Sequence, residues 1–422
     1  MHHFEYRQDE LYCEEVPVRL IADSVGTPFY LYSHATLSRH FQVFDQALAQ
    51  IPHLVCYAVK ACSNIAILRL FASLGSGADI VSGGELFRAL QAGIPPERIV
   101  YSGVGKTDAE LRYALRSGIR LFNVESLQEL DRLEAVAASL DKMAPVAFRI
   151  NPDIDPRTHP YISTGLAKNK FGIPVGDAPA AYRHAASLPH LRVRGISCHI
   201  GSQLTEVAPF VAALERVKAL ARELKADGIP LDTIDLGGGL GITYDLEQPP
   251  LPADYAAALA REWRDLDCTL LVEPGRVIVG NAAILVSRVL YTKQTALKSF
   301  VVVDAGMNDL ARPSLYNAFH AVQPVVRQPR GEQVADLVGP ICETGDFLAR
   351  DRVMPAFAAG DLVAVMSAGA YGFSMASNYN SRPRPPEVLV RGEEIFVIRR
   401  RETYASLIAG EAIPAFLEGP AC

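Results

Sequence analysis

Lys60 closes the segment Tyr57-Ala58-Val59-Lys60-Ala61-Cys62, after the apolar run Leu54–Val59 and before a helix-like segment beginning near Asn64. Four other places carry unusual residues at what read as strand ends: Asp79, His199, the turn Gly237-Gly238-Gly239, and Glu273-Pro274-Gly275-Arg276. Each alone has an ordinary explanation. A lysine at a strand end snorkels to water, a histidine is satisfied by a carbonyl, three glycines make a tight turn, and a Glu before Pro faces solvent. At the lip of a strand, however, desolvation disfavours the ammonium and is expected to lower the Lys60 pKa. A neutral amine there attacks a carbonyl and forms a Schiff base.

Taken together, these types match the needs of a phosphorylated pyridine that carries an aldehyde. Lys60 would hold the aldehyde. Backbone N–H groups of Gly237, Gly238 and Gly239, at a helix start, would face the phosphate, and Ser202 in His199-Ile200-Gly201-Ser202-Gln203 would add a hydroxyl. A Glu273 carboxylate would keep the ring nitrogen protonated and make the ring an electron sink. His199 would stack on the ring.

The elements that must position these groups repeat from about Pro28 to Gly275. Strand candidates are Phe29–Tyr32, Leu54–Val59, Ala78–Val81, Ile99–Tyr101, Ile119–Asn123, Val146–Ile150, Val193–His199, Ile234–Leu236 and Thr269–Glu273. Segments with apolar residues at helical spacing lie between them: Glu85–Ala92, Asp108–Arg116, Ser126–Ala138, Phe210–Lys225 and Ala253–Arg264. Alternating strands and helices over about 250 residues predict a (β/α)₈ barrel, a TIM-like α/β fold. The list holds one strand too many, and Phe29–Tyr32 is assigned as a lead-in. After Gly275 the pattern becomes strand-like (Ala283–Thr292, Phe300–Asp304, Val334–Val338, Leu362–Met366, Glu387–Val390, Ile395–Arg399), with loops rich in Pro, Gly and Asn. The expected division is therefore a barrel over 28–277 and a mostly β C-terminal domain over 278–422 that also takes residues 1–27.

The 422 residues are long for one domain, and 49% hydrophobic with 21% charged residues describes an ordinary globular chain. A formal net charge of -6, without a basic run, argues against nucleic acid or an anionic membrane as partner. The seven cysteines show no CxxC pair and no Cys/His metal spacing, so reduced thiols, no metal and a cytoplasmic location are expected. Neither a signal peptide nor a membrane-spanning run is expected.

The segments around Lys60, His199, Gly237-Gly238-Gly239 and Glu273-Pro274-Gly275-Arg276 resemble the signatures of the fold-type III pyridoxal-phosphate decarboxylases, in the expected order from about Gly26 to Glu402. The resemblance implies an alanine racemase-like two-domain architecture and pyridoxal 5'-phosphate as cofactor. Lys60 would be the Schiff-base lysine, His199 the stacking residue and Glu273 the partner of the ring nitrogen; Asp79, Ser202, Gly275, Arg276 and Tyr371 would also bind the cofactor. In Cys342-Glu343-Thr344-Gly345-Asp346, the resemblance makes Cys342 a proton donor offered to the other subunit of a homodimer whose sites are shared.

Substrates of the ornithine type end in a lone amine, which a single acid satisfies. A substrate with an amino-acid group at both ends needs a cation for the far carboxylate and an acid for the far ammonium. Arg312 with Tyr316 in Ala311-Arg312-Pro313-Ser314-Leu315-Tyr316, and Glu343, supply that combination. The resemblance thus implies loss of carbon dioxide from meso-2,6-diaminopimelate to give L-lysine, with Arg276, Arg312, Tyr316, Glu343 and Tyr371 on the substrate. Spacing leaves open whether Arg276 faces phosphate or substrate, and whether Cys342 or Lys60 returns the proton. The rival readings are a decarboxylase of ornithine, arginine or carboxynorspermidine, an amino-acid racemase, a pyridoxal-phosphate carrier without activity, and a barrel enzyme without this cofactor.

Overall fold

The structure, a computed structural model, describes residues 2–154 and 170–417. The chain divides into two compact units, one of Met1–His3, Ser33–Ala283 and Ser367–Ser374, the other of Phe4–Tyr32, Ile284–Met366 and Met375–Cys422.

In the first unit, eight parallel strands close into a barrel: β1 His53–Ala58, β2 Gly77–Ile80, β3 Ile99–Tyr101, β4 Leu121–Val124, β5 Ala144–Asn151, β6 Leu191–Cys198, β7 Thr233–Asp235 and β8 Thr269–Val272. Each pairs with the next, and β8 returns to β1 through Leu271 opposite Leu54. Helices follow the strands, and their starts are written locally. Ser33, Asn64, Ser82 and Ser126 each accept a backbone N–H of the first turn. Thr107 and Glu110 form a reciprocal capping box.

The barrel interior has two chemically distinct layers. Leu54, Cys56, Val100, Leu121, Ala147 and Leu271 pack as one buried apolar cluster. Because side chains alternate along a strand, the next inward position is two residues further on. From Val100, Leu121, Ala147 and Leu271 that step reaches Ser102, Asn123, Arg149 and Glu273, all buried. At these four strand ends an apolar side chain thus gives way to a polar one at the barrel's C-terminal face.

The second unit is built on a sheet of strand order Phe347–Pro355, Glu332–Val338, Ser299–Val303, Ala283–Gln294, Phe29–Ser33, Glu387–Arg391 and Glu394–Arg399; Leu362–Val365 and Val322–Pro324 branch from it. Phe29, Leu31, Ile284, Val286, Ala364 and Val388 contribute to its core together with Leu11, Val18 and Ile21 from the N-terminal residues.

Two expectations about the division change. The run Phe29–Tyr32 is no barrel lead-in: it is an inner strand of the second unit's sheet, which explains why all four side chains are fully buried. Ser367–Ser374, expected in the β domain, belongs to the barrel unit. There the Gly369 N–H donates to the Gly280 carbonyl at 3.0 Å and the Tyr371 N–H to that of Ala61 at 2.8 Å. A side chain at Gly369 would meet the Val279 carbonyl at 1.9 Å, so only glycine allows this approach.

Candidate active site

Lys60 lies in a single 3₁₀ turn, Val59–Ala61, immediately after β1. Its ammonium is ion-paired with Asp79 on β2, whose side chain is wholly buried while that of Lys60 is 35% exposed. Burial pulls the Lys60 pKa down, as expected from sequence. The opposing carboxylates of Asp79 and Glu273 outweigh it, and the net result is a raised pKa. The expected neutral amine is therefore corrected to an ammonium held by its counter-charges. The other oxygen of Asp79, Oδ1, is buried and has no hydrogen-bond partner among the described residues.

Glu273 follows β8, and its N–H donates to the Gly237 carbonyl at 2.7 Å. Asp235, at the end of β7, is completely buried. Its oxygens accept from Asn123 Nδ2 at 2.7 Å and from the Gly237 N–H at 2.9 Å. Asn123 also donates to Ser102 Oγ at 3.1 Å, and Ser102 to Glu273 at 3.4 Å. Burial, then the neighbouring Asp235 and Asp79, drives the Glu273 pKa well up; Asp235 is raised as well, chiefly by burial. Three buried carboxylates in one neighbourhood disfavour full ionisation, so both members of the Asp235–Glu273 pair hold their protons to higher pH than free carboxyls do.

His199 follows β6. Its Nδ1 accepts the Gly238 N–H at 3.2 Å, which puts the ring proton on Nε2 and makes the imidazole neutral. Burial, then the positive charges of Arg149 and Lys60, lowers its pKa well below the usual value. The glycines beside it are sterically required. A Cβ at Gly238 would lie 2.2 Å from the Glu273 carbonyl oxygen, and one at Gly239, whose φ is +121°, 2.4 Å from that of Gly201. Arg276, buried at the start of the short helix Arg276–Val279, donates to Ser202 Oγ at 3.1 Å and to Tyr244 OH at 2.6 Å. Its guanidinium also lies 5.0 Å from the ring centroid of Tyr371, whose φ of +56° places a non-glycine residue in the left-handed region. The first unit thus brings together Lys60, Asp79, His199, Ser202, Gly237, Gly238, Gly239, Glu273, Gly275, Arg276 and Tyr371. Gly275 is tight as well: its Cβ would touch Ala61 at 3.0 Å.

In the second unit, Arg312 opens the single-turn helix Arg312–Tyr316. The loop bearing Cys342 and Glu343 is organised by Asp346, which accepts the N–H groups of Met307 and Ile341, each at 2.6 Å. The Cys342 N–H donates to Asn380 Oδ1 at 2.7 Å, and Tyr379 OH to Glu343 at 3.2 Å. Cys342 is exposed and its thiol is free, as are those of the five other described cysteines; Cys422 lies outside the described residues.

Sequence reasoning missed Asp235, Asn123, Ser102, Arg149, Tyr244 and Glu85. Glu85 accepts the Val81 N–H at 2.7 Å, and burial pushes its pKa up to about 7. Asp235 had a usable signal: a charged residue ending an apolar run two positions before three glycines.

These residues fit pyridoxal phosphate. An amine is ion-paired beside an unpartnered carboxylate oxygen, a glycine turn leaves no room for side chains, an arginine and a serine stand next to that turn, and a buried carboxyl has a raised pKa. A (β/α)₈ barrel with this set at its C-terminal face defines a pyridoxal-dependent decarboxylase, and residues 34–280 match the family described as "Pyridoxal-dependent decarboxylase, pyridoxal binding domain". The diaminopimelate decarboxylase of Pseudomonas aeruginosa is 54% identical over 97% of this chain and 99% of its own length. A crystal structure of diaminopimelate decarboxylase from Helicobacter pylori with L-lysine superposes with a TM-score of 0.90, at 44% identity over 93% of this chain and 99% of that one. One from M. jannaschii, also with L-lysine, gives 0.94 at 39% identity over 99% and 100%. The chain belongs to the diaminopimelate decarboxylase family.

Proposed function

We propose that this protein removes carbon dioxide from the D-configured centre of meso-2,6-diaminopimelate, releasing L-lysine in the last step of lysine biosynthesis. The observation that carries the reading is the Lys60–Asp79 ion pair at the barrel mouth, close enough to buried Glu273 for their charges to interact, in a chain this similar to diaminopimelate decarboxylases. Bound pyridoxal phosphate supplies an electron sink for the pair left behind when a carbon–carboxylate bond breaks. The residues do the rest. Lys60 offers the amine for the aldehyde, and Asp79 governs when that amine gives up its proton. Glu273, with a proton shared with Asp235, can keep a ring nitrogen protonated. Neutral His199 provides a flat face without adding charge. Gly237, Gly238, Gly239 and Ser202 offer donors to a phosphate, with Arg276 beside them and Tyr371 against Arg276.

The family resemblance assigns Arg312 and Tyr316 to the substrate's far carboxylate and Glu343 to its far ammonium. It also makes Cys342 a proton donor, and either Cys342 or the freed Lys60 would return the proton. The exposed position of Cys342 on a tightly held loop suits a group offered to a second subunit, which supports a homodimer with shared sites. Among the described residues no helix is long and apolar enough to cross a membrane, and reduced cysteines favour the cytoplasm.

Incubating the protein with pyridoxal phosphate and meso-diaminopimelate is expected to yield L-lysine and carbon dioxide in equal amounts. Ornithine, arginine and carboxynorspermidine assayed alongside should remain intact. Decarboxylation of one of these while diaminopimelate persists rejects the substrate assignment.

A further inference from the structure

Arg312 is held by a second buried group. Its Nη1 lies 2.9 Å from Nε2 of His320, and the other ring nitrogen, Nδ1, lies 2.8 Å from the Met366 carbonyl. His320 is fully buried and Arg312 nearly so. A guanidinium N–H can only donate, so Nε2 must accept; a carbonyl can only accept, so Nδ1 must carry the proton. Both contacts therefore specify one tautomer of a neutral imidazole. The segment bearing the ring is fixed in turn. The Met366 N–H donates to the Ala321 carbonyl at 2.9 Å. Arg352 donates to the His320 carbonyl at 3.2 Å and lies 3.7 Å from the Phe319 ring centroid.

We infer that His320 is a positioning residue for substrate recognition: as a neutral acceptor it sets the plane and reach of the Arg312 guanidinium, and so selects ligands with a carboxylate at the far end. A carboxylate at this place would neutralise the guanidinium and compete with the ligand. A neutral imidazole anchors it without adding a negative charge of its own. The inference rests on the assignment of Arg312 to the far carboxylate.

L-lysine keeps that carboxylate and cadaverine lacks it, so the ratio of their affinities reads the contacts to that carboxylate, and the Arg312→Ala background isolates the share that passes through Arg312. The pyridoxal-phosphate-loaded enzyme, as wild type, His320→Leu, His320→Gln, Arg312→Ala and the double variant Arg312→Ala/His320→Leu, is titrated with each amine by calorimetry and assayed for KM and kcat. His320→Leu is expected to weaken L-lysine binding about tenfold, leave cadaverine binding unchanged, and raise KM more than it lowers kcat. His320→Gln, whose amide oxygen can accept from Arg312, is expected to recover most of the loss. In the Arg312→Ala background, His320→Leu should have no further effect on L-lysine. Equal losses for both amines, an unchanged preference, or the same loss in the absence of Arg312 overturns the inference. If His320→Leu does not fold, His320→Asn, whose NH2 can still donate to Met366 while its shorter side chain places no acceptor at the Nε2 position, faces the same criteria. A wild-type enzyme without preference for L-lysine, or an Arg312→Ala variant that keeps the preference, overturns the Arg312 assignment itself and this inference with it.

Discussion

Gly238→Ala tests the site through a single methyl group. The added Cβ would lie 2.2 Å from the Glu273 carbonyl oxygen and 3.0 Å from its carbon, so the backbones must part by about 1 Å to reach ordinary contact. Neither side moves alone. The Glu273 N–H is bonded to the Gly237 carbonyl, and the Gly238 N–H to His199. Relief of the clash thus displaces Glu273, the glycine turn and the imidazole together. Overpacking of this kind costs about 1–3 kcal/mol of stability. A shift of about 1 Å in positioning groups costs about a hundredfold in turnover. The assay is lysine formation at saturating and limiting pyridoxal phosphate, with cofactor uptake followed by visible absorbance and stability by thermal unfolding. We expect kcat/KM to fall about a hundredfold, and cofactor affinity to fall with it. Gly84→Ala is the matched control: its Cβ meets nothing closer than Ser82 Oγ at 3.8 Å, inside the helix Gly83–Gln91. That variant should keep wild-type activity and gain about 0.5–1 kcal/mol. Wild-type cofactor affinity and turnover in Gly238→Ala would refute the steric account of the turn.

Lys60→Ala should abolish both the visible absorbance of bound cofactor and carbon dioxide release; a fully active variant sinks the assignment of Lys60. Asp79→Asn removes the main charge that raises the Lys60 pKa, so the neutral amine becomes available at lower pH and the pH profile of cofactor uptake shifts downward; an unchanged profile contradicts the ion-pair reading. In cofactor-free protein, the raised Glu273 pKa means that the folded state binds more protons than the unfolded one above the ordinary value of 4.5. Its contribution to stability is therefore present at low pH and lost as pH rises toward the raised value. Asp235→Asn relieves the pair, so thermal stability measured from pH 5 upward should fall less steeply than in wild type, and an equal slope would count against a shared proton.

The barrel and its principal groups were legible because each chemical demand is met locally. Lys60, His199, the glycine turn and Glu273 all follow apolar runs, and strand ends are where a barrel gathers its chemistry. What escaped notice depends on long-range neighbours. Asp235 reads as a stray charge until Asn123, 112 positions away in sequence, is seen donating to it. The sign of the Lys60 shift is not legible in the sequence, because desolvation follows from flanking residues whereas the charges of Asp79 and Glu273 arrive through the fold. Phe347–Pro355 was not recognised as a strand because Arg350, Asp351 and Arg352 interrupt it; it is a terminal strand of its sheet, where charges are tolerated and guard the edge. The unit to which Tyr371 belongs is not legible either, because short glycine-rich sequence does not say which backbone it approaches.

The apolar layer of Leu54, Cys56, Val100, Leu121, Ala147 and Leu271 makes the barrel a well and not a channel. Nothing bound above this floor can drain through it, so whatever the C-terminal face holds must enter and leave on that side of the barrel.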